Sequence, residues 1–169
     1  MSAVLKPEAR QHSRPRAPQL VPMTHDDIAR VMLIENEIYE FPWTPGNFAD
    51  SLRADYACWL YLENHQVAGY AVLMLGAGEA HLLNLSIARA GQGRGLGLSL
   101  LDALMAAAHA DGAGKMLLEV RPSNTAGIAL YNKAGFARLG VRKGYYPARP
   151  GREDAWVYGR DLPAAADRD

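Results

Sequence analysis

Gln92-Gly93-Arg94-Gly95-Leu96-Gly97 lies between the apolar run His81 to Ala88 and the Ala- and Leu-rich run Leu98 to Ala110. Apolar run, glycine-dense turn, then strong helix formers reads as strand, loop, helix. The first amides of such a helix have no partner within it. They point at whatever sits over its N-terminus, where the helix dipole also favours negative charge. The loop is therefore an anion site, or else an ordinary strand-to-helix turn. Its spacing excludes two nucleotide motifs. No glycine stands at the third position of G-x-G-x-x-G, because Leu96, Leu98 and Leu100 occupy it in the three possible frames, and no lysine follows a loop glycine as a Walker loop requires. What remains is Q-x-x-G-x-G.

Around this stretch the chain has 169 residues, enough for one domain with a sizeable core. The expected division is a flexible arm over residues 1–18, a single domain over 19–162 and a tail over 163–169. The arm holds Lys6, Arg10, Arg14 and Arg16 among three prolines and little that packs. Lys plus Arg and Asp plus Glu both number 18, so the chain carries no net charge to draw it to nucleic acid or an anionic membrane. No apolar run approaches the roughly 20 residues that span a bilayer, and no secretory signal is visible. A cytoplasmic setting is expected. Cys58, alone of its kind and in the apolar run Ala57 to Leu62, is expected to be a buried thiol.

Helix start signals stand at Thr24, with capping-box spacing to Asp27, and at Thr44-Pro45, with Thr at the cap and Pro at the first helical position. Leu20 to Met23 precedes the first as a short edge strand. Between the two helices Tyr39-Glu40-Phe41-Pro42-Trp43 places large aromatics in a connection, which suggests a binding loop. Ala57 to Leu62 and Val67 to Leu75 form a hairpin, and Lys115 to Val120 is a strand beside the pre-loop strand. Ser123-Asn124-Thr125 caps a helix running to about Ala134, with Gly135 behind it. Phe136 to Arg142 and Ala155 to Arg160 close the sheet.

Two ionisable groups stand out by position: Glu119 in the apolar strand Met116 to Val120, and Tyr131 in the capped helix. A carboxylate in a Val/Leu strand must reach solvent or be held in a site, because burial without a partner is costly. Each taken alone has an ordinary structural explanation. The order of features is far more specific: strand, Q-x-x-G-x-G, helix, Leu118-Glu119-Val120-Arg121, Ser123-Asn124, Ala129-Leu130-Tyr131, Gly135-Phe136. Phe41-Pro42-Trp43-Thr44 stands in front, and Tyr145-Tyr146-Pro147 and Glu153-Asp154-Ala155 follow. From about Val21 to Leu162 the sequence resembles the GCN5-related N-acetyltransferases (GNAT), specifically the RimI-type ribosomal-protein-alanine N-acetyltransferases.

The resemblance implies an α/β fold with a central mixed, mostly antiparallel sheet, splayed parallel central strands and about four flanking helices. It implies acetyl-CoA as co-substrate. Leu85, Ser86 and Ile87 would meet the acetyl-pantetheine end, Gln92, Gly93, Arg94, Gly95, Leu96, Gly97 and Leu98 would hold the pyrophosphate, and Asn124 would touch the cofactor further along. Glu119 matches the family's proton acceptor and Tyr131 its proton donor. Phe41, Trp43, Tyr145 and Tyr146 are candidate walls for the acceptor peptide, with Glu40, Glu153 or Asp154 available to attract it. The implied partner is the N-terminal alanine of small-subunit ribosomal protein eighteen. Gly144 departs from the N-Y-Y-P of the family, which bears on peptide specificity.

The chemistry suits the pair. An N-terminal ammonium, with a pKa of about 7.7 to 8.0, must lose a proton before its nitrogen attacks a thioester, and the departing thiolate must gain one. A carboxylate at its ordinary value of about 4.3 is a weak base, so Glu119 acts through water or in a site that raises its pKa. On that resemblance, main-chain amides near Ile87 would stabilise the oxyanion of the tetrahedral intermediate. Two other readings stay open: acetyl transfer to a lysine or small amine, and a silent acyl-CoA-binding domain. No metal is expected, because His12, His25, His65, His81 and His109 lack ligand spacing. Ser99 lacks the nucleophile elbow and no specific nucleic-acid motif is present.

Overall fold

The computed structural model describes residues 16–162. Apart from residues 16–18, the expected arm lies outside the described residues, as does the tail. Seven strands form one sheet in the order β1-β2-β3-β4-β5-β7-β6. They are β1 (Gln19–Pro22), β2 (Ala57–Glu63), β3 (Gln66–Gly76), β4 (Glu79–Ile87), β5 (Lys115–Val120), β6 (Ala137–Pro147) and β7 (Arg152–Asp161). Every neighbouring pair is antiparallel except β4 and β5. That parallel pair is joined by the crossover helix α3 (Leu96–Ala110), which follows the glycine loop.

The remaining helices are α1 (Ile28–Ile38), α2 (Pro45–Arg53) and α4 (Thr125–Lys133). The expected start at Thr24 appears as a capping box with Asp27 around one 3-10 turn, which then leads into α1. Thr44 caps α2 by accepting from the Asn47 amide, and Asn124 caps α4 through the Gly127 amide. Two cores flank the sheet. Leu100, Leu101 and Leu104 of α3 and Tyr131 of α4 pack on one face with Leu82, Met116 and Leu118. Val31 of α1 and Phe48 of α2 pack on the other with Leu60, Tyr70 and Val72. Cys58 is buried there, and burial pushes its thiol up to about 11.

The β2–β3 hairpin turns at Asn64 and His65, both with positive φ, as a two-residue type I′ connection requires. β6 is longer than the expected Phe136 to Arg142. Its alternation is interrupted by a register shift between Arg142 and Tyr146, and the strand resumes to Pro147 beyond it. Gly144 sits inside that irregularity at φ +57, and its amide is held by Asp154 Oδ1 at 2.8 Å. Left-handed backbone suits Gly and tolerates Asn, so exchanging the family's Asn for Gly144 preserves the local path.

Candidate active site

The site begins with an irregularity in β4. Leu73 faces Leu82 and Val72 faces Asn84, so Leu83 is an extra residue in the ladder. Such a bulge reverses the alternation beyond it. Ala80 and Leu82 face α3, Leu83 and Asn84 both turn toward α1, and Leu85 returns to the α3 side. The parallel ladder to β5 ends at Leu82 and Leu118. Beyond that point β4 stays with β3 and β5 stays with β7, so the two central strands part. The unpaired edge of β4 runs from Leu83 to Ile87 and includes the expected Leu85, Ser86 and Ile87. Two of its carbonyls accept side-chain hydrogen bonds: Leu85 from Tyr39 Oη at 3.3 Å and Ile87 from Gln92 Nε2 at 3.1 Å. Gln92 thus ties the glycine loop to the end of β4.

Within the loop, Gly93 (φ +75) and Gly95 (φ +78) are left-handed, and a Cβ at either would meet nothing within 4 Å. Glycine is needed there for conformation, and the space over the loop is open. Gly95 is the cap of α3 and has no side chain to satisfy the first-turn amides of Leu96, Gly97 and Leu98. Those amides, with the helix dipole behind them, are of the kind that receives an anion. The Arg94 guanidinium lies in a two-pronged pair with Glu63, at 2.7 and 3.0 Å, which holds the Glu63 carboxyl below its ordinary range.

A cavity of about 730 Å³ opens where β4 and β5 part. Glu119 and Tyr131 both line it, together with Leu85, Asn124, Phe41, Trp43 and Tyr146. Glu119 stands one residue past the last position of β5 that pairs with β4, and only 8% of its side chain is exposed. Its Oε2 lies 2.5 Å from His81 Nε2 and its Oε1 lies 3.2 Å from Arg142 Nε. Tyr131 is held by its ring, buried edge-on to Phe136 at 5.8 Å between centroids. Among the described residues its hydroxyl has no protein hydrogen-bond partner. Burial raises its pKa well above the usual tyrosine value, with Tyr39 and Tyr146 adding to the effect, so the hydroxyl keeps its proton at neutral pH. The Asn124 Oδ1 is spent on its helix cap, and the residue also lines the cavity.

Two walls flank the cavity on the side away from the loop. One is the α1–α2 connection with Phe41 and Trp43, the latter packed 5.1 Å from Phe48. The other is the end of the β6–β7 hairpin with Tyr146 and Pro147. Arg121 joins them: it donates to the Pro147 carbonyl at 2.7 Å, and its guanidinium carbon lies 4.3 Å from the Tyr146 ring centre and 5.3 Å from that of Phe41. The structure places three of the candidates apart from the cavity walls or in other pairings. Tyr145 does not line the cavity; it is exposed and stacks edge-on against Tyr146 at 4.9 Å. Glu153 is taken up by the Ser123 hydroxyl and amide and by Arg121, and Asp154 by Lys143 and the Gly144 amide. Of the three acidic candidates, Glu40 alone stays at a loose 3.9 Å from its arginine, Arg149.

Glu35, Tyr39, His81, Arg121 and Arg142 were not singled out from the sequence. Each acts through a partner remote in the chain, and the local signals were the L-E-V-R run that carries Arg121 and the aromatic stretch that opens with Tyr39.

The sequence profile of the Acetyltransferase (GNAT) family matches residues 28–136. The chain belongs to the GNAT acetyltransferase family. It is 36% identical over 131 residues to the [Ribosomal protein bS18]-alanine N-acetyltransferase of Escherichia coli strain K12, a match covering 78% of this chain and 88% of the relative. The crystal structure of the ribosomal-protein-S18-alanine N-acetyltransferase from Escherichia coli superposes with a TM-score of 0.80 at 31% identity, covering 90% of this chain and 98% of that one. A more distant fold neighbour, yncA from Salmonella typhimurium at 20% identity and TM-score 0.71, was solved with its cofactor acetyl-CoA. This GNAT acetyltransferase therefore has the expected fold, the mixed sheet with parting central strands, and is an acyltransferase. No helix among its described residues is long and apolar enough to cross a membrane.

Proposed function

We propose that this acetyltransferase transfers acetyl from acetyl-CoA to the N-terminal alanine of small-subunit ribosomal protein bS18. One observation carries the mechanistic part: Glu119 and Tyr131, from different elements, line one cavity where β4 and β5 part. Similarity to the bS18-alanine enzyme of Escherichia coli supports the choice of acceptor.

The residues suit acetyl-CoA. The first-turn amides of α3 and the left-handed glycines would receive its pyrophosphate, and the unpaired edge of β4 would receive its amide-bearing arm. When bound, it supplies the acetyl group as a thioester. Glu119 serves the acceptor: its carboxylate draws a proton from the incoming ammonium, directly or through a water. His81, a quarter exposed and hydrogen-bonded to Glu119 Oε2, gives that proton a way onward to solvent. Arg142 steadies the other oxygen. Tyr131, neutral and free of protein partners among the described residues, donates to the departing sulfur as the carbon–sulfur bond breaks and the carbon–nitrogen bond forms. Phe41, Trp43 and Tyr146 form the walls for the first residues of the peptide.

The test is Glu119→Gln. Acetyl-CoA affinity should stay within about twofold and kcat should fall roughly 10² to 10⁴-fold, the usual contribution of one proton-transfer group. Unchanged kcat in folded protein would remove Glu119 from the mechanism.

A further inference from the structure

Glu35 is the most deeply buried charged residue of the cavity wall, 1% exposed. Four carboxylates line that cavity. Glu40, Glu119 and Glu153 each lie beside an arginine, whereas Glu35 has no cationic partner among the described residues. A buried carboxylate without a counter-ion is an expensive way to fill a core, and an apolar side chain would serve packing better.

Its hydrogen bonds show what it does instead. Oε1 accepts from the Trp43 main-chain N–H at 2.8 Å. Oε2 accepts from Tyr70 Oη at 2.5 Å and from Asn84 Nδ2 at 3.4 Å. One carboxylate thus joins α1, the α1–α2 connection, β3 and the bulged part of β4. The network continues along β4. Ser86 Oγ donates to Asn84 Oδ1 at 2.7 Å, and Tyr39 Oη lies 2.7 Å from Ser86 Oγ. Ser86 thus donates to Asn84 and Asn84 to the Glu35 carboxylate, an arrangement in which each bond polarises the next, and the Tyr39 hydroxyl, which also reaches the Leu85 carbonyl, closes on Ser86. Burial and the Glu35 charge both push the Tyr70 hydroxyl up, and burial takes Tyr39 to about 12, so both remain donors.

We infer that Glu35 is a positioning residue for the acceptor: it fixes the Phe41–Trp43 wall against the Asn84–Ser86 segment of the cofactor strand, so that acceptor binding depends on its carboxylate while the proton transfers do not. This rests on the reading of that wall as the acceptor side. The wall is a connection between helices, and across Phe41 to Trp43 the one hydrogen bond to a buried side chain among the described residues is that of the Trp43 amide to Glu35.

Steady-state kinetics of Glu35→Gln and Tyr70→Phe test this, with KM measured separately for acetyl-CoA and for a peptide beginning with Ala. Gln keeps an acceptor for Trp43 but turns an amide toward Tyr70 and Asn84. It should raise the peptide KM roughly tenfold to a hundredfold, the cost of breaking a buried charge-assisted hydrogen-bond set, with kcat and the acetyl-CoA KM within about twofold. Tyr70→Phe removes one donor, should shift the peptide KM in the same direction by a smaller factor, and decides the matter if the Gln variant does not fold. A purely structural Glu35 would lower the folded fraction and leave both KM values alone, and that result overturns the inference. So does an equal rise in both KM values. If the unaltered enzyme ignores the alanine peptide but acetylates another amine, the acceptor reading fails instead, and the same comparison is made on that amine.

Discussion

Replacing Tyr131 by Phe removes one oxygen from a site where that oxygen holds nothing in place. The ring keeps its edge-on packing against Phe136 at 5.8 Å and its burial against α3 and the sheet. The hydroxyl has no protein partner among the described residues, so no buried group is left unsatisfied. The change in folding stability should stay below about 1 kcal/mol, the scale of one neutral hydrogen bond. Catalysis should respond quite differently. Without a proton donor the sulfur must leave as thiolate, and a general acid is worth roughly 10² to 10⁴ in rate, or about 2.7 to 5.4 kcal/mol of barrier at about 1.36 kcal/mol per factor of ten. The assay is CoA release at saturating acetyl-CoA and peptide, beside a thermal melt of the same preparation. A kcat drop of a hundredfold or more with an unmoved melt is the expected pair of results. A kcat within a few-fold of the unaltered enzyme would refute Tyr131 as the acid, and a collapsed melt would show that the hydroxyl has a structural partner after all.

The pH–rate profile should rise through the acceptor ammonium at about 7.7 to 8.0 and then stay level to about pH 10, because burial keeps Tyr131 protonated well beyond that range; a falling limb between pH 8 and 9 would contradict this. The Glu153 carboxyl is held below its ordinary range, first by the Ser123 hydroxyl and then by the Ser123 amide and Arg121. Its contribution to stability is therefore present above the unfolded value and lost as pH falls through the folded one. Melts of the unaltered protein and Glu153→Gln should differ most above about pH 5 and converge toward pH 3, whereas a gap that widens with acid would reverse the assignment. Gly69→Ala would place a Cβ 2.6 Å from the Ser86 carbonyl oxygen and 2.8 Å from Ile87 Cδ1. Since β4 must give way, a loss of about 1–3 kcal/mol by denaturant titration is expected, together with weaker acetyl-CoA binding; a neutral result would mean that the strand has slack.

What the sequence shows of this fold is local. Thr24, Thr44 and the Ser123-Asn124-Thr125 run start helices because a cap is chosen within one turn, and Glu63-Asn64-His65-Gln66 turns a hairpin because a few residues suffice, the structure narrowing these to Asn124 and to Asn64-His65. The glycine loop is legible for the same reason. The bulge at Leu83 is not, since a period of two reads straight through an extra residue, yet it sets which side chains face the cavity. The same blindness shortened β6 at the irregularity around Gly144. In the candidate site, Glu119 and Tyr131 were visible through their place in an ordered set of motifs. Their surroundings were not. His81 reaches Glu119 across the parallel ladder, and Arg142 reaches it from the far edge of the sheet. Glu35 reads as one more polar residue of an amphipathic helix until Tyr70 and Asn84 close on it from two other strands.

The central claim is transfer to a free N-terminal alanine, and CoA release with three acceptors tests it most directly: the bS18 N-terminal peptide beginning with Ala, the same peptide N-terminally blocked and bearing a lysine, and a simple polyamine. Turnover confined to the free alanine peptide is the expected result. Turnover on the blocked peptide or the polyamine, or acetyl-CoA binding without turnover on any of the three, would contradict it.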